Sequence, residues 1–193
     1  MATEELRDAG TPVPPLTARL VEEARHGDAD AFDALIGPRL PRLLRLAASI
    51  LGSEADAADV VQDACLDAWR RLPSLRDPDR LDSWLAQMVV NDARDALRRR
   101  RRAQVREIDA DVMEVEHEVG TRRPLADAVT GAIAIRRAFA RLQPDDRAIL
   151  ALHHVDQRPV AEIATVLGIP EGTAKWRLHR ARQALERALE RER

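Results

Sequence analysis

The sequence predicts an all-α chain of two small helical domains joined by an acidic, flexible linker. Three observations carry that expectation. Aromatic residues make up only 3% of the 193, with no Tyr, while Ala, Leu, Arg and Glu abound, which favours helix over sheet. Apolar residues recur at helical spacing in stretches separated by Gly, Pro and Asp breaks. Charge falls into blocks: residues 53–67 hold five acids and no base, 98–106 six Arg and no acid, and 107–118 six acids with no Lys or Arg.

Residues 1–15, with Gly10, Pro12, Pro14 and Pro15, read as a flexible tail. The first domain, 16–102, opens with Leu16, Leu20 and Ala24 at helical spacing. Asp28 and Asp30 are then N-cap candidates for a helix bearing Phe32, Leu35 and Ile36. Leu40, Leu43, Leu44, Ala47, Ala48 and Leu51 continue the pattern until Gly52 and Ser53 interrupt it. A long helix over about Glu54 to Leu72 carries the stripe Val61, Ala64, Cys65, Ala68 and Leu72, with Val60 and Trp69 alongside. Pro73 and Pro78 break the chain. The next helix runs from about Leu81 into the Arg run, with Leu81, Trp84, Leu85, Met88, Val89 and Ala93 facing a core. Periodicity is lost over 103–126, the expected linker. The second domain, 127–193, follows with Ile133, Ile135, Ala138, Phe139 and Leu142, then PDDRAILALHHV and a last segment from Pro159.

Composition removes several function classes. The single cysteine, Cys65, excludes an internal disulfide and a cysteine-based zinc site, and its place on the buried stripe suits a small core residue. No signal peptide and no membrane-spanning run are present, so a cytoplasmic protein without membrane insertion is expected. Neither a Gly-rich phosphate loop nor a nucleophile elbow is found. His153 and His154, adjacent on a helix, are expected to point apart rather than share a metal. Catalysis, cofactor, metal and small-molecule substrate are all expected to be absent. The net charge of -2 conceals the blocks and leaves nucleic acid open as a partner.

The last segment has a helix-turn-helix pattern over 159–178. Pro159 suits a helix start, Val160, Ile163, Ala164 and Leu167 form one face, Gly168 ends the helix, Ile169 plugs the corner and Pro170 starts the next element. The second helix is expected to bury Ala174, Leu178, Ala181, Leu185 and Leu189. At about 100° per residue, that stripe leaves Trp176, His179 and Arg180 roughly opposite, flanked by Lys175, Arg177 and Arg182. A large exposed aromatic among bases makes sense where a helix enters a major groove while basic residues hold phosphates. The Glu186, Arg187, Glu190 and Arg191 end reads instead as a solvated face.

Two stretches resemble the sigma-70 family of bacterial transcription initiation factors, in its extracytoplasmic-function (ECF) group. GDADAFDALI through DAADVVQDACLDAWRRL to DSWLAQMVVNDARDALRRRRR is similar to the family's region 2. LQPDDRAILALHHVDQRPVAEIATVLGIPEGTAKWRLHRARQAL is similar to region 4. Both in this order, across an acidic linker, make the match specific. The resemblance implies a promoter-specificity subunit that joins core RNA polymerase in the holoenzyme, directs transcription initiation in a stress or envelope response and catalyses nothing itself.

It further implies that DVVQD (Asp59, Val60, Val61, Gln62, Asp63) docks on the beta-prime clamp helices of core polymerase. Asp59, Gln62 and Asp63 share an outward face suited to arginines, and Leu66 could supply an apolar anchor. Residues 74–98 match the part that recognises and melts the minus-ten element. The Ser74–Asp82 loop would hold a flipped base, and Asn91, Arg94, Arg98 and Arg99 would line the strand path, with the Arg98–Arg102 run holding phosphates. Trp84 lies on the apolar stripe and reads as core. Minus-thirty-five contacts would fall on Glu171, Thr173, Lys175, Trp176, Arg177, His179 and Arg180. Trp176 departs from the small polar residue common in the family there, which implies an unusual promoter preference. The acidic linker either mimics nucleic-acid charge along polymerase's basic channels or is a solvated spacer. An anti-sigma factor is a further partner that the family often has. A stand-alone helix-turn-helix regulator fits less well because of DVVQD and the Arg-rich helix; a protein-binding decoy that holds core polymerase or an antagonist through residues 54–72 fits less well because of the basic recognition helix.

Overall fold

Two helix starts in the computed structural model fall where a side chain satisfies a free backbone N–H group; the structure describes residues 15–108 and 126–192. Asp28 caps α2 (Ala29–Ile36) by accepting from the Ala31 N–H at 3.0 Å. Ser53 caps α4 (Glu54–Arg71) by accepting from the Asp56 N–H at 3.3 Å, with Glu54 and Asp56 in its positive first turn. Around these stand α1 (Leu16–Arg25), α3 (Leu40–Leu51) and α5 (Leu81–Ile108). The second unit comprises α6 (Ala126–Ala140), α7 (Pro144–His154), α8 (Val160–Leu167) and α9 (Glu171–Glu190). Among the described residues no strand is present, as the composition predicts.

The expected tail lies outside the described residues except for Pro15, and most of the expected linker, residues 109–125, also lies outside them. The linker's start is corrected: α5 runs on to Ile108, six residues beyond the predicted end of the first domain. Ala103, Gln104 and Arg106 are good helix formers, and no Gly or Pro intervenes. Loss of apolar periodicity therefore does not mark the end of the helix.

In the first unit, α3, α4 and α5 pack together, with Leu46, Ile50, Leu72, Leu81, Leu85, Val89 and Val90 almost wholly buried. Leu44, expected among the apolar stripe, is on the surface. Phe32 meets Trp69 edge-on, centroids 5.0 Å apart, tying α2 to α4. In the second unit, Ile149, Leu152 and Ile163 sit beneath α9, which buries Ala174, Leu178, Ala181 and Ala188 and half-buries Leu185 and Leu189. The two units are not separate beads: α7 packs on α3 and α5, and α8 on α5, so their apolar cores join.

The loop after α7 sets the join. Gln157 takes a left-handed φ of 51°, a conformation that costs a non-glycine residue about 1–3 kcal/mol, and its neighbours Asp156 and Arg158 are both buried. Gly168 takes φ 63° at the end of α8, where a side chain would be strained, and so makes the tight turn into α9.

Candidate functional site

Asp59, Gln62, Asp63 and Leu66 all lie exposed along one face of α4, as their spacing requires. Val60 and Val61, which the resemblance includes in the docking motif, are core positions, 8% and 2% exposed, as the apolar stripe of this helix predicts, and so cannot themselves meet a partner. Five consecutive residues sweep more than a full helical turn, so they cannot all face a partner. Leu66 is 48% exposed and borders a shallow apolar groove between α2 and α4 that includes Phe32, Gln62, Cys65 and Trp69. Cys65 is half-buried, packed against the core at the edge of this groove, and burial pushes its thiol pKa up, away from the reactive thiolate. Behind this face the Asp92 carboxyl is raised by burial and then by repulsion from Asp67 and Asp63.

Asn91, Arg94 and Arg98 line one side of α5. Asn91 is exposed, but both arginines are engaged across the join. Arg94 Nε donates to Asp145 Oδ1 at 2.8 Å, its Nη2 pairs with that oxygen at 2.7 Å, and Arg98 Nη2 donates to the same oxygen at 3.0 Å. Burial alone would raise the Asp145 carboxyl, but the Arg94 hydrogen bond and the charges of Arg94 and Arg98 together hold it below the usual carboxylate range. The pair is thus fully formed above the ordinary carboxylate pKa and is lost only as pH falls through the lowered value. Arg101 donates to the Gln143 side chain and the Leu142 carbonyl, and Arg100 pairs with Asp56 of α4. The Arg98–Arg102 run is therefore not a uniform phosphate comb, although Arg99 is exposed.

The Ser74–Asp82 loop is built from two short 3-10 turns, Leu72–Ser74 and Pro78–Arg80, the second capped by Asp77 accepting from the Asp79 N–H at 3.1 Å. Leu75 is buried, and its carbonyl accepts from Arg25. Asp82 is paired with Arg39 at 2.6 Å. Trp84 is half-buried against the core.

A second ionic seam joins the units beside this loop. Asp156 pairs with Arg42 of α3 and, at 2.5 Å, with Arg158. Arg158 also donates to the Ser83 hydroxyl and the Asp82 carbonyl at 3.1 Å each. Arg147 of α7 reaches the Ile50 carbonyl at 3.1 Å, and burial, with Arg101 nearby, lowers its pKa to about 10. None of Asp145, Arg147, Asp156 and Arg158 was singled out in the sequence. The nearest signal is the charged PDDR start of α7, whose partners lie far away along the chain.

On α9, Glu171, Lys175, Trp176, His179 and Arg180 are exposed, and Thr173 and Arg177 are half-buried. Trp176 is 59% exposed, so the helical phase predicted for it holds. Lys175 pairs with Glu171 at 2.7 Å within the first turn. Arg180 is turned back to Asp146 of α7 at 2.8 Å, and its guanidinium lies 5.2 Å from the Trp176 ring centroid. The His153 and His154 rings do not point apart: their centroids lie 4.5 Å from each other, tilted by 60°. His153 is pushed towards its neutral form by burial, then by His154 and Arg182. Among the described residues no group of three or more His, Cys, Asp or Glu could hold a metal, and no helix is long and apolar enough to cross a membrane.

Residues 35–103 match the family described as sigma-70 region 2, and residues 132–185 match sigma-70 region 4. The chain is 36% identical over 175 residues to the Mycobacterium tuberculosis protein named ECF RNA polymerase sigma factor SigM, spanning 89% of this chain and 84% of that one. It is 30% identical over 181 residues to the RNA polymerase sigma-H factor of Pseudomonas aeruginosa, spanning 89% and 93% respectively. Among solved structures, the sigma factor RpoE of Bartonella quintana, crystallised with the anti-sigma factor NepR, superposes with a TM-score of 0.64 at 25% identity. That match covers 86% of this chain and all of the other.

Proposed function

This chain belongs to the sigma-70 family, in its extracytoplasmic-function group, and from that premise we propose how its surfaces divide the work of promoter-specific transcription initiation. It is a specificity subunit, so polymerase performs the chemistry. The α4 face of Asp59, Gln62, Asp63 and Leu66 docks core polymerase. Its acids meet arginines on the clamp helices, while Leu66 and the Phe32–Trp69 groove receive an apolar side chain. The exposed acid–apolar pattern on one helix face is the observation that carries this assignment.

Asn91, Arg94, Arg98 and Arg99 bind the minus-ten strand, and the Ser74–Asp82 loop receives an unstacked base. Extracting that base costs a few kcal/mol, which contacts in the opened strand offset. In the described arrangement Asp145 sits on Arg94 and Arg98, so these two must exchange a carboxylate for phosphate when promoter is bound. The α9 start, by contrast, is free to enter the major groove of the upstream element. An anti-sigma factor is a further proposed partner, supported by the RpoE–NepR likeness. The site of action is the cytoplasm, with polymerase.

Purified core polymerase, with and without the chain, tests this reading on a promoter selected from a genomic library. Specific transcripts should require the chain, and Asp59→Arg with Gln62→Ala should abolish co-purification with core while leaving helicity intact. Specific transcripts made without the chain, or undiminished co-purification of the double variant, would contradict it.

A further inference from the structure

Arg180 stands on the DNA-facing side of α9, yet its guanidinium is turned back towards α7 and Trp176. Its Nη2 donates to Asp146 Oδ1 at 2.8 Å, and its Cζ lies over one side of the Trp176 ring, 5.2 Å from the centroid. The Asp146 side chain is only 9% exposed, and Arg180 is its one side-chain partner among the described residues. Were Arg180 to swing out to a guanine edge, it would leave a buried carboxylate unpaired, which is heavily disfavoured. Trp176 is four residues before Arg180 and 59% exposed, so one face of its ring is backed while the rest projects outward.

We infer that Asp146 and Arg180 are positioning residues that hold the Trp176 ring in the major groove, where it selects a thymine through its 5-methyl group. This rests on α9 being the reader of the upstream duplex, and it moves Arg180 from base contact to support. The ring offers an apolar surface, and in the major groove the thymine methyl is the apolar feature that distinguishes one base pair from another. A free tryptophan on a solvated helix would sample several rotamers and discriminate weakly. The ion pair anchored in α7 restricts that freedom, so the ring meets one base position.

The test uses the full-length chain assembled with core polymerase and the best upstream duplex selected from a randomised library. Each thymine in turn is replaced by deoxyuridine, which removes only the methyl. One position should lose binding about fourfold, the order expected for one buried methyl-sized group. Trp176→Ser should erase that penalty. Asp146→Asn and Arg180→Met should shrink it, and Asp146→Asn should raise guanine preference nearby by releasing Arg180. Arg180→Lys, which keeps a cation between Asp146 and the ring, should retain most of it. Persistence of the penalty in Trp176→Ser, or at the parent value in Arg180→Met, would overturn the inference. Lys175→Ala separates the two levels: it should weaken every duplex without altering the uracil penalty. If neither Lys175→Ala nor Trp176→Ser changes duplex binding, α9 is not the reader and both readings fall. Because Trp176 is exposed, Trp176→Ser keeps the fold and decides the matter even where Asp146→Asn melts early.

Discussion

Arg94 and Arg98 on α5 and Lys175 and Arg177 on α9 are assigned the same chemistry, holding DNA phosphates, yet they stand in different surroundings. The α5 pair is held by Asp145 of the other unit, and the Arg94 side chain is only 17% exposed. The α9 start has only a local partner, Glu171, four residues from Lys175 on the surface. A surface pair of that kind is worth little and yields readily to phosphate. The contrast teaches that the two DNA surfaces are not equally ready. On the proposed assignment, duplex recognition would begin in the described arrangement, whereas strand capture would require Arg94 and Arg98 to leave Asp145.

The most damaging way to break this contrast is to remove the seam. Arg158→Ala would strand Asp156, whose side chain is 1% exposed, leaving it with Arg42 alone. Loss of one partner from a buried pair typically costs about 3–5 kcal/mol. Limited proteolysis and thermal melting should show the units separating and α7 loosening, while the first unit keeps its own helices. A milder change acts on the opened strand: Arg98→Ala with Arg99→Ala should slow bubble formation, read by permanganate footprinting. It should also reduce the salt slope of single-strand binding by about 0.7 per lost contact. Upstream duplex recognition should be spared. The smallest effect is expected from Lys175→Ala, which should weaken all upstream duplexes alike and lower the salt slope by about one, as measured at two salt concentrations.

How much of this the sequence made legible depended on whether the information was local. The phase of α9 followed from Ala174, Leu178 and Ala181, because a helix fixes what opposes its buried stripe within two turns. Asp28 and Ser53 could be read as helix boundaries for the same reason. The seam could not be read: Arg94 meets Asp145 only because α5 and α7 pack together, and no periodicity in either helix announces it. Nor does a charge pattern say whether an arginine faces solvent or a carboxylate 51 residues away. The DVVQD motif, taken whole from the resemblance, includes Val60 and Val61, which the apolar stripe already places towards the core. A family motif is contiguous in sequence, but a helix distributes it over several faces, so only Asp59, Gln62 and Asp63 remained available to a partner.

Binding of the free, full-length chain to a single-stranded minus-ten oligonucleotide, followed by fluorescence anisotropy for the parent and for Asp145→Asn, tests most directly whether the carboxylate holds the place of DNA phosphate. The variant keeps the shape of Asp145 but removes the negative charge that faces Arg94 and Arg98. It should bind the free oligonucleotide severalfold more tightly than the parent, and the difference should vanish once both are assembled with core polymerase. Equal affinities of the two free chains would contradict the account.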